Sequence, residues 1–113
     1  MEKSFSDMIS DQEVEQALDY LRDNAEVAAQ AAANHTYMVE YRKSLKALLR
    51  SQSKGKTEGA KDDYAYAHPD YLKHLEALKE AVYQHERHKF LMKAAEAKID
   101  AWRTASANQR IGP

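Results

Sequence analysis

Cysteine is absent from the 113 residues, which removes disulfides, thiolate metal sites and cysteine nucleophiles together and suits a reducing compartment. Glycine and proline are scarce, at 3 and 2 residues. That is too few for the turns of a β-sandwich or barrel, and the β-branched residues never gather into alternating runs. No apolar run approaches the roughly 20 residues that cross a bilayer, and residues 1–10 lack the apolar stretch of a signal peptide. A soluble, unexported, cytoplasmic protein is expected. The formal net charge of −1 offers no global attraction for nucleic acid or an anionic membrane. Glycine-rich phosphate loops and nucleophile elbows are also missing, so neither an enzyme nor a bound cofactor is expected.

What is present suits amphipathic helices: 43% apolar and 31% charged residues in a chain of one domain's length, 1–113. Ser10-Asp11-Gln12-Glu13 is a capping box, with Ile9 and Val14 placed as its hydrophobic staple. Val14, Leu18, Leu21, Ala25, Ala28 and Ala32 then step by 4, 3, 4, 3 and 4, which is coiled-coil spacing. Beyond His35 the stripe passes to Met38, Tyr41, Leu45, Leu48 and Leu49, where the strict repeat is expected to give way to ordinary helix packing. A first long helix is predicted over about residues 11–53, with Gly55 as its stop. Thr57 is a cap for a short helix through Asp62, Asp63 and Tyr64-Ala65-Tyr66. Pro69 suits the first position of a second long helix. Its stripe is Leu72, Leu75, Leu78, Val82, His85, His88 or Lys89, Met92, Ala95, Ile99 and Trp102, and it runs to about Asn108, with residues 1–9 and 109–113 frayed.

Charge decides the topology. Residues 1–40 hold 9 acids and 2 bases, 41–61 hold 1 and 7, 62–80 hold 5 and 2, and 81–113 hold 3 and 6. Folding the arms back antiparallel sets acidic beside basic in both halves, whereas parallel arms would oppose like charges. The predicted fold is therefore all-α, an antiparallel long-helix hairpin with a short connecting helix, His35 facing His85, Leu49 near Tyr71, and Trp102 opposite Leu18. Two helices make a thin core, since each buries one face. Apolar residues outside the main stripes (Tyr20, Val27, Tyr37, Val39, Tyr83, Phe90, Leu91) supply a second face. Self-association is expected, most simply a homodimer forming a four-helix bundle.

Three clusters carry candidate chemistry. Arg42, Lys43, Lys46, Arg50, Lys54, Lys56 and Lys61 lie close in sequence to Tyr64 and Tyr66, and cations with stackable rings are the make-up of a single-stranded nucleic-acid surface. The competing reading is that these cations offset helix-end carbonyls and the acidic block beside them. Tyr64, Tyr66, His68 and Tyr71 form the densest aromatic segment, suited either to a partner-binding patch or to capping the open end of the hairpin. His85-Glu86-Arg87-His88 sets two imidazoles one turn apart, which His35 can join across the hairpin. This is neither a zinc-protease nor a di-iron pattern, and packing histidines with no metal are the expectation.

Tyr64-Ala-Tyr66, Asp70-Tyr71, Leu75-Glu76-Ala77, Ala94-Ala95-Glu96, Ala101-Trp102-Arg103-Thr104 and Ala107-Asn108 together resemble a group of small bacteriophage helical proteins encoded near single-strand annealing recombination genes. The likeness covers roughly residues 40–110, and its motifs are structural. It implies a phage accessory factor in the host cytoplasm, acting in DNA recombination or replication or against a host protein. The functional expectation is a non-enzymatic helical interaction protein that binds another macromolecule. Direct single-stranded nucleic-acid binding through the basic 42–61 block, and inhibition of a host defence or other host protein, are the alternatives.

Overall fold

The computed structural model describes residues 9–111, which form α1 (Asp11–Gln52), α2 (Glu58–Ala67) and α3 (Pro69–Ile111), with no strand among them. Each boundary follows from local chemistry. The Glu13 N–H donates to Ser10 Oγ at 3.1 Å, as the capping box requires. After α1, the Gly55 N–H donates to Ser53 Oγ at 3.1 Å. A Cβ on Gly55 would lie 2.7 Å from Ala60 Cβ, so glycine lets the connector pass close over α2. Thr57 caps α2, its Oγ1 accepting from the Ala60 N–H at 3.0 Å. His68 works at two helix ends. Its N–H donates to the Ala65 carbonyl and closes α2, while its Nδ1 accepts from the Asp70 N–H at 3.0 Å and caps α3. Pro69 occupies the first position of α3, where a missing N–H costs nothing. α3 remains helical through Ile111, past the expected end near Asn108. The fraying expected of residues 1–8 and 112–113 falls outside the described residues.

The chain divides into two compact units: a central one of residues 29–86, and a terminal one in which residues 9–28 meet residues 87–111. In the central unit α1 and α3 pack antiparallel. The rings of His35 and His85 stack with centroids 5.2 Å apart. His74 donates from Nε2 to the Met38 carbonyl at 2.8 Å, an assignment forced because a carbonyl only accepts. At the turn, Leu45, Leu49, Ala65 and Tyr71 form a buried cluster. α2 enters that cluster through Ala65, which has no exposed surface. Leu49 is the largest fully buried side chain, and its burial contributes about 1.5–3 kcal/mol. The expected facing of His35 and His85, and of Leu49 and Tyr71, is found.

Along the central unit the seam is His35, Met38, Arg42, Leu45 and Leu49 on α1, with Tyr71, His74, Leu78, Ala81 and His85 on α3, each buried or half-buried. In the terminal unit it is Val14, Ala17, Leu21, Asn24 and Ala28 against His88, Met92, Ala95, Ile99 and Trp102. Spacings of 3 and 4 alternate throughout these runs, so the coiled-coil repeat persists beyond His35 instead of lapsing there. It persists because polar residues hold seam positions that an apolar search passes over. Two further expectations are corrected. Leu18 is off the seam and 52% exposed, and Trp102 instead donates from Nε1 to Asp11 Oδ1 at 2.8 Å. Leu72, Leu75 and Val82 are also exposed, one position beyond the seam residues Tyr71, His74 and Ala81.

Candidate functional site

The basic block of residues 41–61 lies in the central unit, and most of its cations are engaged. Arg50 bridges Glu58 and Asp62 of α2 and also donates to the Glu58 carbonyl at 3.3 Å, tying α2 to α1. The Glu58 carboxylate, and then Asp62, raise its pKa above the ordinary guanidinium value. Lys46 sits over the Tyr66 ring, 4.6 Å from its centroid, and 3.7 Å from Asp62. Tyr66 first and Asp62 second hold its ammonium above the usual lysine value, outweighing partial burial. Lys43 pairs with Glu40 at 3.2 Å and Lys61 with Glu58 at 3.6 Å. Among the described residues no ion pair reaches Arg42, Lys54 or Lys56. Basic residues of 41–61 thus meet Asp62 on the connecting helix α2, and no described ion pair joins α1 to α3. No described ion pair joins the first block to the fourth.

Arg42 differs from the two free lysines because it is half-buried on the seam, whereas Lys54 and Lys56 are exposed in the connector. A groove of about 400 Å³ opens beside it, lined by Arg42, Lys43, Lys46, Tyr66 and Tyr71. The aromatic segment is divided by the fold. Tyr64 and Tyr66 are exposed, Tyr71 is buried in the cluster under α2, and His68 is half-buried with its Nδ1 committed to the α3 cap. Tyr64 meets the His68 ring at 5.6 Å, and Tyr66 meets Tyr71 edge-on at 5.3 Å.

The other histidines lie on the seams. His35 and His85 stack in the central unit, and His74 is bonded to Met38 and tilted against Tyr41 at 5.3 Å. His88, in the terminal unit, is 9% exposed, and its Nδ1 has no hydrogen-bond partner. Among the described residues no three His, Asp or Glu side chains converge as metal ligands. No described helix is long and apolar enough to cross a membrane.

Large apolar side chains lie outside both seams. In the central unit Tyr37, Tyr41 and Leu48 are exposed on α1, and Leu72, Leu75, Val82 and Tyr83 on α3. In the terminal unit Leu18, Val27, Phe90 and Leu91 are exposed. A second groove there, about 250 Å³, runs between Ala17 and Tyr20 of α1 and Leu91, Ala94 and Ala95 of α3. No family model, curated protein or solved structure matches this chain. Its chemistry must therefore be read from these surfaces. Sequence reasoning missed Arg42 and His74 as seam residues. Their signal was phase: each continues the 3 and 4 alternation through residues whose hydropathy conceals it.

Proposed function

We propose that the chain is a non-enzymatic helical interaction protein, and that its first partner is a second copy of itself, docking to make a four-helix bundle. One observation carries this reading. Half of the seam positions hold small or polar side chains, such as Ala17, Asn24, Ala28, His74, Ala81 and Ala95, while large apolar ones lie beside the seam in water. Two helices bury one stripe each, and flanks such as Leu48, Leu75 and Val82 are desolvated only by another helical surface. The resemblance of residues 40–110 to small bacteriophage proteins supports a role for the assembled protein as an accessory factor in phage DNA recombination or replication.

Sedimentation equilibrium over a wide concentration range tests the assembly. The expected mass is twice that of the chain, falling to one chain in Leu48→Glu or Val82→Glu variants that keep their helical circular dichroism. A single-chain mass at every concentration overturns self-association. For the accessory role, co-elution with a phage single-strand annealing protein is expected. Retention of one unrelated host protein instead would assign the chain to host inhibition.

A further inference from the structure

We propose that the groove beside Arg42 binds a phosphate group. A guanidinium carries five donors and a fixed charge, and Arg42, a half-buried residue at the seam position between Met38 and Leu45, lines this groove. Among the described residues neither a carboxylate nor another hydrogen-bond acceptor reaches it. An apolar residue at the same seam position would pack there equally well, so packing within the chain does not account for the charge. The side chain is therefore explained by a ligand that brings the missing negative charge.

The surroundings fit that ligand. Lys43 follows directly and Lys46 lies one turn on, and both line the same space as Arg42, together with Tyr66 and Tyr71. The nearby carboxylates are already engaged, Glu40 on Lys43 and Asp62 between Lys46 and Arg50. Three cations thus face two occupied anions, and the excess charge is concentrated at Arg42. A planar guanidinium presents paired donors to phosphate oxygens, and the neighbouring lysine ammonium groups add charge beside them. The cavity, at about 400 Å³, admits a phosphate with part of what it is attached to. Arg50 is excluded by its pairing with Glu58 and Asp62, and Lys54 and Lys56 lie outside the groove. This site goes beyond self-association and does not depend on it.

A phosphate can arrive as a monoester or within a nucleic-acid strand, and two arms separate them. Full-length protein is titrated at low salt with thymidine monophosphate, and separately with a fluorescent single-stranded oligothymidylate followed by anisotropy, with inorganic phosphate as competitor in both. Saturable binding displaced by phosphate is expected in at least one arm, and the arm that binds names the source. Arg42→Gln is expected to weaken it about tenfold or more, the loss of one charged, doubly bonded contact. In the strand arm it should also reduce the slope of log affinity against log salt by about 1. The double variant Lys54→Gln/Lys56→Gln should retain phosphate-competable binding. Unchanged affinity in a folded Arg42→Gln protein overturns the proposal, as does failure of both arms or strand binding that phosphate does not displace.

Discussion

Replacing His88 by leucine is expected to stabilise the protein, and the size of the gain can be worked from its surroundings. His88 is 9% exposed and its buried Nδ1 meets no acceptor or donor. An unsatisfied buried polar atom costs about 1–3 kcal/mol, and leucine, close to histidine in volume, removes that cost while placing an apolar side chain on the seam. The gain should be of that order, about 1–3 kcal/mol. His74 provides the control: it is as buried, at 8%, and occupies the equivalent seam position in the central unit, but donates to the Met38 carbonyl at 2.8 Å. His74→Leu forfeits a net hydrogen-bond contribution of about 0.5–1.5 kcal/mol, which offsets much of the apolar gain. The difference between the two variants therefore isolates one hydrogen bond. Urea unfolding followed by circular dichroism, at one protein concentration, should rank His88→Leu above wild type. It should lie above His74→Leu by about 1–2 kcal/mol, or roughly 4 °C in Tm per kcal/mol. A His88→Leu protein no more stable than wild type, or indistinguishable from His74→Leu, would refute the reasoning.

The two connector glycines should respond with opposite signs in the same assay. Gly55→Ala drives a methyl against Ala60 Cβ and is expected to cost about 1–3 kcal/mol, whereas Gly59→Ala, inside α2 with open space around it, should gain about 0.5–1 kcal/mol. His68→Ala strips the acceptor from the Asp70 N–H and should lose about 0.5–2 kcal/mol, with His68→Asn restoring most of it. Ala65→Leu forces extra volume between Leu45, Leu49 and Tyr71, so amide exchange in α2 should rise while exchange in the terminal unit stays unchanged.

The element boundaries were legible because single residues specify them. The Ser10 capping box, the Thr57 cap and Pro69 each satisfy or remove a particular backbone N–H, and the sequence displays that chemistry directly. The antiparallel sense agrees with the alternating charge blocks, but among the described residues the ion pairs that leave α1 reach α2 and none reaches α3. The phase of the seam was harder to read. Apolar residues are spread around both long helices, so several stripes one position apart look equally good, and Leu18, Leu72 and Val82 drew the reading away from Ala17, Tyr71 and Ala81. Alanine and histidine carry little hydropathy, yet they pack well where two backbones approach closely. The same blindness hid Arg42, which composition groups with solvated lysines and which only the fold sets on the seam. Ion pairs such as Arg50 to Glu58 and Asp62 depend on where α2 docks, so the sequence showed the basic block without showing how few of its charges are unpaired.

The seam itself is the central claim, and a thiol pair tests it most directly, since the chain has no cysteine of its own. Cysteines replacing His35 and His85, whose rings lie 5.2 Å apart, should oxidise readily to a bond within one chain, while cysteines replacing the exposed Tyr37 and Tyr83 should not. Failure of the first pair to close, or equally rapid closure of the second, would contradict the packing on which the proposals rest.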